Sequence, residues 1–483
     1  MLAKLKQQAN LDPKYIESSS HVLIILPKRK SFSPKDVPLG PLLAKLLERK
    51  KLKPEQLVKN PVMATTESGT FVGWAMLDGS ATVFEQQVQI RKAAEAVLAE
   101  NPATLTVVVL GSDEERRHAS ELALYVVWIN GMTLPTRKRE PENIPLKQIT
   151  LLGYRDSANF VSARAKAEGN TLCRMLSTLP PNELTPKAYR RRIAVLAKQH
   201  AWKYHEFDFN TLRRRGAGAF VAVAQGSPNH DAAIVHVRYA HKRAKLTIAL
   251  VGKGICFDTG GHNLKTARGM LGMHEDMNGS AVALGILLAA TRLNLPVNID
   301  CWLAIAQNHL SPTAYKQNDI VTALNGTTIE IVHTDAEGRM VLADALTLAA
   351  QKKPSAILDF ATLTGSMIHS LGTRYSGVFS NRDELLSKAI AAGKASGERV
   401  NAFPLAPDYE DALKSSVADI KQCLISGEAD HILAACFLAK FVSDLPWLHM
   451  DLSAASCEGG LGAVATQTTG FGVTWGVEML SAL

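Results

Sequence analysis

Cysteine is scarce in this sequence, and its six residues show no spacing that would pair them. None stands in a CxxC pattern, which argues against a cysteine metal site and against a disulfide framework. Five of the six lie in apolar or periodic surroundings typical of buried thiols. The protein is therefore expected in a reducing compartment; the cysteines are Cys173, Cys256, Cys301, Cys423, Cys436 and Cys457.

Long apolar runs are also missing. No stretch approaches the roughly 20 apolar residues that a helix needs to cross a bilayer, and residues 1–8 lack the apolar core of a signal peptide. The composition, 46% hydrophobic and 20% charged over 483 residues, excludes extensive disorder and suffices for two domains. We therefore expect a soluble, cytoplasmic protein with no membrane partner.

The basic residues are not interleaved with aromatic residues, and no nucleic-acid-binding motif accompanies them. A formal charge of +9 would permit binding to nucleic acid. The basic residues form short, scattered clusters, which favours solvated surface. Nucleic-acid binding or scaffolding by the basic surface remains an alternative function; the clusters are residues 28–30, 49–51, 137–139, 190–192 and 213–215.

The first part of the chain alternates between buried-type strands and helices, which predicts a smaller α/β domain over residues 1–158. The turn at residues 111–113 could hold an anion at a helix start, although a plain connection is favoured. Residues 132–149 lack periodicity and predict an exposed connection. The predicted strands are 21–26, 70–77 and 104–110, and the predicted helices are 39–50 and 85–100.

The rest of the chain, residues 159–483, predicts a larger α/β domain with a mixed, mostly buried central sheet flanked by helices. A connecting helix and linker occupy residues 159–186, where Thr185 is the expected cap of a helix that begins at Pro186. Ligands of such sheets bind at the carboxyl ends of the strands. The predicted strands are 203–207, 219–224, 233–239, 246–251, 298–305, 328–332 and 356–360, and the helices are 159–177, 280–293, 339–351 and 384–396.

The stretch from His333 to Arg339 lies between a predicted strand and a predicted helix. Asp335 and Glu337 alternate in this turn, and such carboxylates can converge on a hard divalent cation, while the Arg339 fork can bind an oxyanion. A second interpretation is a helix cap at Thr334 or Asp335. The stretch alone does not decide between a metal site and a cap.

Two further carboxylates, Asp258 and Asp276, stand at a strand end and a helix start, and both are expected in the same crevice. Glycines at 252, 254, 260 and 261 predict sharp turns and a close approach of backbone to ligand. Four crowded carboxylates would repel one another unless cations neutralise them, and two divalent ions would balance their charge. Lys253 or Lys265 could become a nitrogen ligand, because metal charge depresses a lysine pKa.

The segments VGKGICFDTGG, LK at 264 and 265, HEDMNGSA and TDAEGRMVLADAL, in this order and spacing, resemble the leucyl aminopeptidase (cytosol aminopeptidase) family of dinuclear metallo-exopeptidases. The resemblance covers about residues 160–483, and also includes NELTP at 182–186, Gly226-Ser227, LTG at 363–365 and GFGV at 470–473. For the amino-terminal domain it is loose and implies a macro-like fold.

The resemblance implies an aminopeptidase that acts on peptides as a homohexamer. It also implies two divalent metals per subunit, Mn or Zn before Co or Mg. Lys265 would polarise the scissile carbonyl, and Arg339 would hold a bicarbonate ion as general base. Met273, Thr362 and Leu363 would contact substrate. The implied metal ligands are Lys253, Asp258, Asp276, Asp335 and Glu337.

The sequence departs from the family pattern at four places, which puts specificity, pH optimum and metal preference in question. His333 stands where Asn is usual, and His262-Asn263 replaces a small or apolar pair. His274-Glu275 and Asp430-His431 replace small residues. We interpret His262 and His333 as local hydrogen-bonding residues and not as metal ligands. A dinuclear phosphoesterase, a third option, would be expected to use His-rich ligands.

Overall fold

A computed structural model describes residues 2–140 and 143–483. The predicted exposed connection at 132–149 includes Pro141 and Glu142, which lie outside the described residues. The chain forms two compact units, and the predicted boundary at residue 158 stays a prediction. The first unit comprises Met1–Glu168, Lys394–Glu398 and Cys457–Thr469, and the second comprises Gly169–Gly393, Arg399–Ser456 and Gly470–Leu483.

The first unit is built on a six-stranded sheet in the order β1-β6-β5-β2-β4-β3. All neighbours are parallel except β3 and β4. The predicted strands and helices of this region are confirmed. Its strands are β1 (Lys4–Gln8), β2 (His21–Pro27), β3 (Val62–Thr65), β4 (Phe71–Leu77), β5 (Thr104–Val109) and β6 (Gln148–Leu152), and its helices are α1 (Pro13–Ser18), α2 (Gly40–Lys50), α3 (Val83–Leu98) and α4 (Asp113–Asn130), with a 3-10 turn at Pro54–Val58.

Helix α5 (Val161–Ser177) carries the chain into the second unit, where Thr185 caps the next helix as predicted. The central sheet is mixed and has eight strands, in the order β15-β14-β17-β13-β9-β10-β8-β7. Its strands are β7 (Lys203–Asp208), β8 (Ala233–Tyr239), β9 (Thr247–Asp258), β10 (Asn298–Asn308), β13 (Ala356–Ala361), β14 (Ser376–Ser380), β15 (Val400–Ala402) and β17 (Trp447–Asp451), and a smaller sheet joins β11 (Ile320–Thr322), β12 (Thr328–Glu330) and β16 (Ile420–Lys421).

Two helices of the second unit, α10 (Asn278–Arg292) and α11 (Glu337–Ala350), are mostly apolar and almost fully buried, as expected for helices enclosed in a core. Both begin beside β9, where Gly252 approaches Ser280 in α10 and the Lys253 side chain approaches Gly338 in α11. The helices are α6 (Pro186–Gln199), α7 (Phe209–Arg215), α8 (Gly218–Ala224), α9 (Ala267–Met270), α10 (Asn278–Arg292), α11 (Glu337–Ala350), α12 (Gly365–Leu371), α13 (Asp383–Ser396), α14 (Pro407–Glu410), α15 (Asp430–Ala439) and α16 (Val473–Ala482), with 3-10 turns at Met273–Met277 and Asp411–Leu413.

The prediction of a strand at residues 219–224 is wrong, because this segment is helix α8. A short apolar run fits either a buried strand or a buried helix. The buried Asp344 decides between them, since its Oδ2 accepts the N–H of Phe220 at 2.8 Å in the first turn of α8. A carboxylate more than a hundred positions away in the sequence thus supplies the cap that α8 itself lacks.

Two further expectations need correction. The strand predicted at 246–251 continues to Asp258, and Gly252 and Gly254 lie within it and do not form sharp turns. Glycine is needed at position 252 because a Cβ would lie 2.5 Å from the Cα of Ser280 in α10. The strand predicted at 328–332 belongs to the smaller sheet and not to the central one.

All six cysteines are buried, and among the described residues none of them forms a disulfide bond. Within residues 2–140 and 143–483, none of the helices combines the length and apolarity that a membrane crossing requires.

Candidate metal centre

Asp258 is the last residue of β9, where the central sheet ends. Its Oδ1 accepts hydrogen bonds from Asn308 Nδ2 at 2.8 Å and from the N–H of Gly260 at 2.9 Å. Asn308 is aligned with Asp258 in the parallel pairing of β10 with β9. The sheet register and the glycine turn therefore fix this carboxylate at the strand end.

Asp335 and Glu337 lie in the turn that enters α11. The cap of this helix is Ala336, which offers no side-chain hydrogen bond, so the interpretation of Thr334 or Asp335 as a cap is wrong. Thr334 instead fastens the turn to the neighbouring loop, because its hydroxyl donates to the carbonyl of Gly260 at 2.6 Å. The cap of α11 therefore does not account for the Asp335 and Glu337 carboxylates.

Asp276 lies in the 3-10 turn before α10, on the other side of the Lys253 side chain. Lys253 Nζ is 2.8 Å from Asp276 Oδ1, 2.9 Å from Glu337 Oε1 and 2.9 Å from the carbonyl of Thr362. These three contacts saturate the ammonium group. One buried lysine thus joins carboxylates from two helix starts.

Lys265 makes a second bridge of the same kind. Its Nζ is 2.9 Å from Asp258 Oδ2 and 2.7 Å from Asp335 Oδ1. The side chain is 17% exposed, compared with 4% for Lys253. Of the two lysines, Lys265 is therefore the one that an incoming molecule can reach.

Burial makes charge expensive at this site and raises the pKa of Asp258, Asp276 and Asp335 above the usual value. Mutual repulsion among the acidic groups adds to this effect. Burial opposes the charge on Lys253, but the surrounding carboxylates outweigh it and raise the lysine pKa. Four carboxylates and two lysines leave a formal excess of negative charge, which favours cations.

Three of the carboxylates can reach one point, since oxygen atoms of Asp258, Asp335 and Glu337 all lie within 4.8 Å of one another. Two further buried oxygens, Asp276 Oδ2 and Glu337 Oε2, have no hydrogen-bond partner among the described residues. A buried polar atom without a partner costs free energy in a folded protein. Divalent cations would satisfy these oxygens, because hard cations prefer oxygen ligands.

The family model described as "Cytosol aminopeptidase family, catalytic domain" matches residues 171–476, more than half of the chain. The chain belongs to this family. A probable cytosol aminopeptidase of Pseudomonas fluorescens (strain SBW25) is 42% identical over 332 residues, which are 67% of this chain and 66% of that protein. One from Rhodopseudomonas palustris (strain BisB18) is 36% identical over 354 residues, 72% of this chain and 70% of that protein.

Solved structures extend the similarity beyond the family model. The bottromycin maturation enzyme BotP in complex with Mn has a TM-score of 0.85 and 29% identity, and the match covers 96% of this chain and 99% of that one. A second structure of BotP gives a TM-score of 0.82 at the same identity and coverage. The α/β fold of this chain is therefore shared with BotP over almost its whole length.

Arg339 lies in the first turn of α11 and is 2% exposed. Its Nη1 donates to the carbonyl of Gln422 at 3.0 Å, and its Nη2 donates to Asp430 Oδ1 at 2.7 Å. The guanidinium thus follows Glu337 by two residues but faces α15. The Arg339 guanidinium, which the sequence analysis assigned to an oxyanion, is therefore already paired with the Asp430 carboxylate.

The residues expected to contact substrate lie beside the acidic cluster or near it. Thr362 donates from its hydroxyl to Asp276 Oδ1 at 2.8 Å. The N–H of Leu363 donates to Asp451 Oδ1 at 3.1 Å, which fixes the loop after β13. Met273 is half-buried at the first position of the 3-10 turn that carries Asp276. These positions are compatible with a binding wall, but their role stays a prediction.

The two histidines that depart from the family pattern do not join the acidic cluster. His333 accepts the N–H of Asp335 at its Nδ1, 3.2 Å away, which is the local role predicted for it. Burial lowers the pKa of His333, and the Lys265 charge lowers it further. His262 is exposed. Among the described residues, the group of side chains suited to a metal contains no histidine.

Sequence reasoning missed Gln422, whose side chain is fully buried. Its Oε1 accepts the N–H groups of Val332 and His333, and its Nε2 donates to the carbonyl of Ala336 at 2.9 Å. One amide thereby holds both ends of the turn that carries Asp335. The residue has no motif around it, so only the tertiary structure identifies it.

Proposed function

We propose that this protein is a metal-dependent aminopeptidase that removes the amino-terminal residue of peptides. The observation that carries this proposal is the pair of unpartnered buried oxygens, Asp276 Oδ2 and Glu337 Oε2, beside three convergent carboxylates. The family membership supports the same activity. The matched region spans about 66% of the first curated relative, so activity, substrate and partners are argued from the site itself.

The donor set fits two divalent ions. Asp258, Asp335 and Glu337 would surround one position, while Asp276 and Lys253 would complete a second, with Glu337 available to both. Lys253 would have to lose its proton, and the charge of an arriving cation lowers a lysine pKa in that direction. Mn or Zn is proposed before Co or Mg, as the family resemblance implies, and the similar BotP structure in complex with Mn supports the choice of Mn.

Two bound divalent ions would supply a water of lowered pKa and positive charge beside the scissile carbonyl. Lys265 is the partly exposed cation of the site, and its ammonium can donate to the carbonyl oxygen as negative charge develops there. Asp258 and Asp335 hold that ammonium in place. Met273, Thr362 and Leu363 are proposed to line the space for the first side chain of the peptide.

The bicarbonate expected at Arg339 fits this protein less well than the metals do. The Nη atoms already donate to Gln422 and to the Asp430 carboxylate. No step of the proposed reaction is therefore routed through bicarbonate. The homohexamer and the cytoplasmic location implied by the family resemblance stay predictions.

The basic surface does not favour the alternative of nucleic-acid binding. Several of its residues are paired with carboxylates, as Lys28 is with Asp78 at 2.6 Å and Arg190 is with Glu206 at 2.5 Å. Such pairing reduces the charge available to phosphates. Salt-dependent retention on a DNA column would revive this alternative.

The decisive experiment uses metal-free protein and a panel of aminoacyl anilides. Mn, Zn, Co and Mg are added back separately to wild type, Asp335→Ala and Lys265→Ala. We expect hydrolysis that depends on metal and falls by at least about a hundredfold in either variant. Equal rates in wild type and both variants, with circular dichroism confirming that all three are folded, would refute the proposed function.

A further inference from the structure

We propose that the carboxylate of Asp430 is the resident anion of Arg339, at the place where the family resemblance puts bicarbonate. The protein would then neither bind nor need that ion. This inference rests on the proposed function for its consequence in catalysis, but its binding test can be made on the metal-free protein. Its first support is the 2.7 Å contact between Arg339 Nη2 and Asp430 Oδ1.

Both terminal nitrogens of the guanidinium are engaged by the protein, Nη1 by the Gln422 carbonyl and Nη2 by Asp430, and only its buried Nε has no hydrogen-bond partner among the described residues. The whole residue is 2% exposed. Asp430 already balances its single positive charge. Asp430 and Glu337 already place two negative charges near this guanidinium. A bicarbonate ion would add a third negative charge beside one positive charge.

Asp430 is also fixed by its own surroundings. It is the first residue of α15, where the unpaired N–H groups of a helix favour a negative charge. The next residue, His431, donates its N–H to Ser366 Oγ at 2.9 Å, and its ring packs edge-on against Phe403. The Asp430 side chain is 24% exposed. The pair with Arg339 is therefore held from both sides and differs from a mobile surface ion pair.

The same pair is connected to the candidate metal centre. Arg339 follows Glu337 by two residues in α11, and its partner Gln422 also holds the turn before that helix. A carboxylate from the chain thus stands permanently beside the site, so its occupancy does not depend on dissolved bicarbonate.

The variant that tests this inference is Asp430→Gly, which leaves Arg339 with an open face. A matched control is Asp383→Gly, because Asp383 is also the exposed first residue of a helix in the second unit, with no ion pair among the described residues. Asp430→Asn removes the charge but keeps the size, and serves if the glycine variant fails to fold. All proteins are prepared in buffer freed of carbon dioxide.

The first measurement is thermal unfolding of metal-free protein with and without sodium bicarbonate. Ligand that binds only the folded state raises the melting temperature. We expect bicarbonate to raise the melting temperature of Asp430→Gly, and to leave wild type and Asp383→Gly unchanged, with chloride at equal ionic strength as reference. A rise in wild type, or none in either Asp430 variant, would overturn the inference.

The second measurement is anilide hydrolysis by metal-loaded protein at the same bicarbonate concentrations. We expect wild type to change by less than about twofold, and Asp430→Gly to be slower and to recover with bicarbonate. A wild-type rate that rises severalfold with bicarbonate would also overturn the inference. A wild type without any hydrolysis would count against the proposed function, while the melting experiment would still decide the role of Asp430.

Discussion

Two polar clusters of this chain occupy equivalent places at the ends of parallel strands, one in each compact unit, and they are built in opposite ways. In the first unit, Lys28 follows β2 and pairs with Asp78 after β4 at 2.6 Å, and Arg29 pairs with Glu115 at 2.8 Å. Glu115 also accepts the N–H of Ser112 in a capping box. Each charge of this first cluster has a partner.

In the second unit, the carboxylates of Asp258, Asp276 and Asp335 crowd together, and burial raises the pKa of each. In the first cluster the shift is opposite. A hydrogen bond from Lys28 lowers the pKa of Asp78 to about 2, and the Ser112 N–H lowers that of Glu115. The position at strand ends is therefore not what marks a site. The feature that distinguishes the candidate site is a set of buried carboxylates, some of whose oxygen atoms have no hydrogen-bond partner among the described residues.

The comparison predicts that a lysine in one cluster matters for catalysis and an equivalent lysine in the other does not. Lys265→Ala should reduce kcat/KM by about 10²- to 10³-fold, because it removes the accessible cation beside the carbonyl. Lys28→Ala, which also removes an ammonium in contact with a carboxylate, should leave kcat/KM unchanged. Steady-state anilide kinetics give both values. A comparable loss in the two variants would mean that the clusters do not differ in the way proposed.

Metal binding should show the same contrast. Glu337→Gln keeps the shape of the side chain but removes a charged oxygen donor, whereas Glu115→Gln makes the same change in the first cluster. If affinity falls ten- to a hundredfold, the stabilisation by saturating metal falls by about 1.4 to 2.7 kcal/mol in Glu337→Gln. The measurement is unfolding by urea with and without MnCl₂. An undiminished Mn effect in Glu337→Gln would remove this residue from the metal centre.

Glycine substitutions test how closely each cluster is packed. A Cβ at Gly338 would lie 2.7 Å from Lys253 Nζ and 2.9 Å from Leu363 Cδ1, but one at Gly79 would meet nothing within 4 Å. Overpacking in Gly338→Ala should lower the free energy of unfolding by about 1 to 3 kcal/mol. The higher helix propensity of alanine should offset up to about 1 kcal/mol of this loss. Gly79→Ala should be close to neutral. Urea denaturation measures both changes, and a neutral Gly338→Ala would show that Lys253 can move aside.

Much of the second cluster could be predicted from the sequence, because its residues come in short motifs at the ends of periodic segments. Asp258, Asp335 and Glu337 do converge, and Lys253 and Lys265 do lie between the carboxylates. The helices and strands predicted from periodicity are also present, except for the strand at 219–224. Periodicity reflects only interactions between residues that are close in sequence, however. It therefore identifies functional residues whose partners lie nearby in the sequence.

The missed features all depend on contacts between distant parts of the chain. Gln422 holds the turn at His333 from 89 residues away, and Asp344 turns the apolar run at 218–224 into a helix from 124 residues away. The pairing of Asp430 with Arg339, 91 residues apart, likewise changes what the arginine can bind. No local pattern contains that information, since these partners are distant in sequence and meet only in the tertiary structure.

The smallest expected effect is the stability change in Lys28→Ala. The Lys28 side chain is 48% exposed, so solvent screens its pair with Asp78 and the loss at pH 7 should be below about 1 kcal/mol. The folded-state pKa of Asp78, lowered to about 2, means that the pair stabilises the protein above the ordinary aspartate pKa of about 3.9 and ceases to do so as pH falls towards 2. The difference in unfolding free energy between wild type and Lys28→Ala should therefore shrink between pH 5 and pH 2, as followed by urea denaturation. A difference that stays constant over this range would show that the lysine stabilises the first cluster by packing and not by charge.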